Sequence, residues 1–133
     1  MLFGFTEALY LLGEHDQAAA LLPRLEQVLA LGHEWMAFDG RFISTRAGIA
    51  AAAAGRWEEA ERHYRAAIQA AEEVAGRIEQ ADIRRLHARM LLDRDRPGDR
   101  ERARSQLSDA IEAYHAMGMP RHEAVTSTLL AAA

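Results

Sequence analysis

The chain has 133 residues, 50% of them hydrophobic, with no cysteine and a formal net charge of −4 from sixteen basic and twenty acidic side chains. That balance argues against general affinity for nucleic acid, which rests on clustered positive charge meeting phosphate. The absence of cysteine excludes a disulfide framework or thiolate chemistry, and because every basic residue is arginine there is no phosphate loop ending in lysine.

This length suits one domain with one core, spanning residues 1–133. Alanine is abundant, and only three prolines and nine glycines interrupt the chain, so intrinsic propensity predicts helix almost everywhere. The first predicted helix runs from Leu2 to Leu12. Leu2, Phe3, Phe5, Leu9, Tyr10, Leu11 and Leu12 put apolar groups on nearly every side of it, so it is expected to pack against a second copy, giving a homodimer, or against preceding repeats. Glu7 interrupts the segment and no basic stretch precedes it, which is wrong for a secretory signal. No run of eighteen apolar residues could span a bilayer, so a cytoplasmic chain with no membrane partner is expected.

A phrase then recurs. Gly13-Glu14-His15-Asp16-Gln17-Ala18, Gly55-Arg56-Trp57-Glu58-Glu59-Ala60 and Gly98-Asp99-Arg100-Glu101-Arg102-Ala103 lie 42 and 43 residues apart. Nine positions after each glycine stands a larger apolar residue (Leu22, Tyr64, Leu107). A period of this size marks a solenoid of helical hairpins, each burying its apolar face on its neighbours. The glycines are read as helix-ending turns, with Asp16 and Asp99 as caps and Glu58, Glu59 and Glu101 near positive helix ends. Gly32, Gly76 and Gly118 close the second helix of each unit, and Pro120 opens a last one.

The predicted helices are therefore Leu2–Leu12, Asp16–Leu31, His33–Ala54, Trp57–Ala75, Arg77–Asp93, Asp99–Met117 and Pro120 to about Leu130. They form hairpins over residues 1–32, 33–76 and 77–118 and a terminal helix over 120–130. Trp57, Ala60, Tyr64, Ala67, Ile68 and Ala71 make one core stripe, and Leu107, Ala110, Ile111 and Tyr114 make another. Pro23 and Gly40 sit inside predicted helices, where each marks either a bend or a misplaced boundary.

The sequence shows no catalytic constellation. His15-Asp16, His33-Glu34 and His122-Glu123 are sequence neighbours that point in different directions on a helix, and none has the i,i+4 spacing of a zinc-binding helix, so no metal or other cofactor is expected. Glu58, Glu59, Glu61, Glu72 and Glu73 read as a solvated face, with Glu58 able to pair with Arg62 and Glu61 with Arg65. Ser44, Ser105, Ser108 and Ser127 lack a base at a recognisable spacing, so the chain is expected not to be an enzyme. Between Arg84 and Arg104, eight arginines face four acids. They are either helix faces laced by weak ion pairs or a docking patch for an acidic or phosphorylated segment.

Gly55 to Ala60, with Tyr64, Ala67 and the small pair Ala47-Gly48, resembles the tetratricopeptide repeat family. Arg85 to Leu92, Pro97 to Ala103 and Ala116 to His122 are similar to the C-terminal repeat arrays of large bacterial signalling proteins, where an ATPase with a nucleotide cyclase or DNA-binding domain precedes the repeats. The resemblance implies an all-α superhelix of three long hairpins plus a C-terminal helix that docks a protein or peptide without binding nucleic acid itself. Its concave side would present Phe42, Thr45 and Arg46 from the second unit and Arg85, Ala88 and Arg89 from the third. Ile49 falls on the same face or in the hairpin core. A small-ligand sensor binding in the groove is the alternative the resemblance allows.

Overall fold

The computed structural model describes residues 5–34 and 40–133. Leu2 and Phe3 of the apolar first segment, and Asp39 beside Gly40, lie outside the described residues. The fold is all-α, with consecutive helices antiparallel. Eight helical segments are described: α1 Thr6–Leu11, α2 His15–Ala19, α3 Leu22–Ala30, α4 Ile43–Ala53, α5 Trp57–Glu73, α6 Arg77–Arg94, α7 Asp99–Ala116 and α8 Pro120–Ala132. Because α2 and α3 are two halves of one broken helix, they amount to seven helices.

The two residues that disagreed with the helical pattern both mark boundaries. Pro23 occupies the second position of α3, where the missing amide costs nothing, so the predicted Asp16–Leu31 helix is divided at Ala20 and Leu21. Gly40 has φ +68° and lies in a connection, so α4 starts at Ile43 rather than at His33. Phe42 precedes α4 in an extended conformation and has no side chain able to cap it. Glu34 does that work from ten residues away: its carbonyl accepts the Ile43 amide at 2.8 Å, and its carboxylate accepts the Ser44 hydroxyl and, at 3.4 Å, the Ser44 amide.

Four glycines end helices as the sequence predicts, each with the same paired closure. At Gly13 the glycine amide reaches the Tyr10 carbonyl at 3.1 Å and the next amide reaches Leu9 at 2.8 Å; at Gly55 the equivalent bonds go to Ala52 at 3.0 Å and Ala51 at 2.9 Å. Gly32 and Gly118 repeat the pattern. Gly76 does not. The helix ends one residue early, so Ala75 takes the left-handed position at φ +53° while Gly76 sits at φ −74°. In the third copy of the phrase α6 ends at Asp95, whose φ is +48°, and Gly98 instead precedes α7.

The chain forms two compact units, residues 1–67 and 68–133. In the first, α4 packs against α1, α2 and α3 and is buried from Ile43 to Ala52. This enclosed helix is rich in alanine and carries a glycine at its centre, and Gly48 shows what a small residue does there. A Cβ there would lie 2.9 Å from the ring of Tyr64, which is itself 1% exposed. In the second unit α7 packs on α6 and on α8. Ala103, Leu107, Ala110 and Tyr114 are its buried stripe, and Ala81 on α6, with Met117 and Met119 at the α7–α8 turn, completes the cluster.

Candidate functional site

The five residues assigned to a groove fall in different surroundings. Phe42, Thr45 and Arg46 are 1%, 0% and 3% exposed, because the α4 segment that carries them is enclosed by three other helices. Arg85 is held within the α6–α7 hairpin. Its Nε donates to the Tyr114 hydroxyl at 3.3 Å and its terminal nitrogen lies 3.8 Å from Asp82. Arg89, one turn further along α6, has an exposed side chain and pairs with Asp93 at 3.2 Å.

Tyr114 is the hub of the α6–α7 interface. Its hydroxyl donates to Asp82 at 2.5 Å, and His122 from α8 lies against its ring, centroids 5.2 Å apart. Burial first, and the neighbouring Asp82 carboxylate second, push the phenol far above its usual pKa. It therefore stays a neutral donor. Arg85 supplies a positive charge to the same pair, which is the arrangement a buried carboxylate needs.

Arg84 reaches the Gln80 carbonyl and Glu72 near the start of α6, whereas the arginines from 94 onward make contacts around the α6–α7 turn. Asp99 accepts from Nε and Nη2 of Arg94, at 2.8 and 2.7 Å, and from the backbone amide of Arg96 at 2.9 Å. The sequence predicts Asp99 as a cap for α7, but Gly98 takes the cap position and the Asp99 carboxylate fixes the preceding turn. Those bonds, led by the Arg94 guanidinium, hold its pKa at about 2. Around this core Arg100 pairs with Asp95 at 2.9 Å, Arg102 approaches Asp99 at 3.8 Å, and Arg104 donates to the Ala133 carbonyl at 2.9 Å.

A different cluster in the first unit carries the most versatile donor chemistry. Glu26 from α3 meets Glu59 and His63 from α5, with one ligand-type atom from each lying within 4.8 Å of the others. His63 is 8% exposed, and its buried Nε2, 3.5 Å from a Glu26 oxygen, makes no hydrogen bond. Burial is the main cause that lowers the His63 pKa, which favours the neutral ring. A hydrogen bond with Glu26, followed by the pull of Arg56 and Arg62, lowers that of Glu59. The local signal was available: Glu59 and His63 stand four residues apart, on one helix face. Glu26 is not accessible to such a reading, because only the tertiary approach of its side chain to His63 brings it there.

Along the same helix, Glu58, Glu61, Arg62 and Arg65 line a depression of about 270 Å³. Arg65 pairs with Glu61 at 3.0 Å as the spacing predicts, but Glu61 is 9% exposed rather than part of a solvated face. No helix among the described residues is long and apolar enough to cross a membrane. Comparisons of the chain with protein-family models, with curated proteins and with solved structures find no match.

Proposed function

We propose that this chain is a tetratricopeptide-like α-solenoid of helical hairpins that works by protein–protein recognition rather than catalysis. In this reading it is the docking or sensor repeat region of a bacterial, cytoplasmic signalling or transcription regulator, with a protein or peptide partner. The closures at Gly13 and Gly55, where the same phrase makes the same two backbone bonds, support the repeat reading. The third copy supports it less directly, since its glycine opens a helix.

The observation that carries the functional reading is the outward side of α1. Thr6 and Tyr10 face inward and are buried, whereas Phe5 and Leu12 are 62% and 78% exposed, one on either end of the helix. Leu11 is also 53% exposed and Leu9 between them is half-buried, so the segment offers water a set of large apolar groups that is stabilised by covering it. The partner proposed for it is a second copy of the chain, joined through α1. The charged lining of the depression at Glu58 and Arg62 does not favour the alternative of an apolar small-ligand pocket. Sedimentation equilibrium of the full chain tests the reading. Self-association that Leu12→Asp abolishes, with the circular dichroism unchanged, is expected; a monomer at every concentration contradicts it.

A further inference from the structure

We propose that Glu26, Glu59 and His63 bind a first-row divalent transition cation, for which zinc is the probe, and that the ion ties α3 to α5. The set contains one imidazole and two carboxylates, a donor mixture suited to zinc, manganese or ferrous iron and unsuited to soft cuprous ion. Three protein ligands leave a fourth position for water.

The geometry is close to what such an ion requires. Metal–ligand bonds of about 2.0–2.2 Å in a tetrahedron place neighbouring donor atoms roughly 3.3–3.6 Å apart. His63 Nε2 and Glu26 Oε1 are already 3.5 Å apart. The three donors lie within 4.8 Å of one another, so reaching tetrahedral spacing takes at most about 1.5 Å of approach between any pair. His63 is buried, and its Nε2, the ring nitrogen beside Glu26, makes no hydrogen bond.

Charge argues in the same direction. Two carboxylates in contact repel unless a proton or a cation lies between them. Arg56 and Arg62 offset Glu59 from outside, at 3.2 and 3.6 Å, but their side chains are 60% and 67% exposed. Exposed ion pairs of this kind contribute little, so a divalent ion entering among Glu26, Glu59 and His63 displaces them at small cost.

The test is calorimetric titration of the full chain, stripped with a chelator, with zinc, repeated with cobalt to read the ligand-field spectrum of the bound ion. One ion per chain in the micromolar range or tighter is expected, together with a rise in melting temperature. His63→Gln and Glu59→Gln should each weaken binding at least ~100-fold, because even outer-shell partners of metal sites are worth about 10–100-fold. His115→Gln, which removes the histidine of the exposed His115–Glu123 pair, should leave it unchanged. If His63→Gln fails to fold, the partly exposed Glu59→Gln decides alone. Absence of saturable binding, or binding that Glu59→Gln leaves intact, overturns the site and points to a proton shared by the two carboxyls. Neither result bears on self-association through α1.

Discussion

Replacing Gly48 with alanine should destabilise the first unit, although alanine is the better helix former. The new Cβ would meet three atoms of the Tyr64 ring at 2.9, 3.0 and 3.1 Å. Ordinary carbon contacts lie near 3.5–4.0 Å, so a gap of roughly 0.7 Å must open. Tyr64 is 1% exposed and α4 is enclosed, so neither side can yield freely. Overpacking of this sort costs about 1–3 kcal/mol. The gain from replacing a mid-helix glycine returns about 1 kcal/mol. The net loss is on the order of 1 kcal/mol, read as a lower urea midpoint by far-ultraviolet circular dichroism. The sign reverses once the ring is removed. In a Tyr64→Ala background the clash is gone, and Gly48→Ala should become neutral or stabilising. A stabilising Gly48→Ala with Tyr64 intact would refute the packing argument.

Two further predictions concern the turns of the second unit. Asp99 has its folded-state pKa lowered from 3.8 to about 2, so its pairing stabilises the fold above pH 4 and is lost as pH falls towards 2. The shift corresponds to about 2 kcal/mol. Urea titrations of wild type and Asp99→Asn should therefore differ most at neutral pH and converge in acid; a gap that is constant with pH would count against the Arg94–Asp99 contact. Ala75→Gly relieves a left-handed alanine worth roughly 1–2 kcal/mol of strain. The added freedom of the unfolded chain offsets about 0.4–1 kcal/mol of that. A rise in melting temperature of a few degrees is expected, and a fall would show that the α5–α6 turn is not as described.

The helices from α5 onward were legible in the sequence because local chemistry punctuates them. The start at Trp57, the limits of α6 near Arg77 and Arg94, and Pro120 at the head of α8 all follow from glycine, proline and a one-sided apolar stripe. The α4 boundary was not legible. Its cap is Glu34, ten residues before Ser44 in sequence, and no short-range motif announces that. The burial of Phe42, Thr45 and Arg46 escaped for a related reason. When every face of a helix is covered, a stripe pattern cannot say which side is open. Ala75 illustrates the limit of punctuation: Gly76 predicts the turn, but the helix ends one residue earlier and the left-handed geometry falls on its neighbour. The Glu26–Glu59–His63 cluster depends on tertiary packing for its third member, and only the Glu59–His63 half is written in spacing.

Hydrogen exchange of the full chain, measured residue by residue at low and high protein concentration, is the most direct test that α1 is a recognition surface. Self-recognition through α1 predicts that amides from Thr6 to Leu12 gain protection as concentration rises, while those of α6 and α7 stay unchanged. Exchange that is independent of concentration throughout, or protection gained only in α7 and α8, would contradict it.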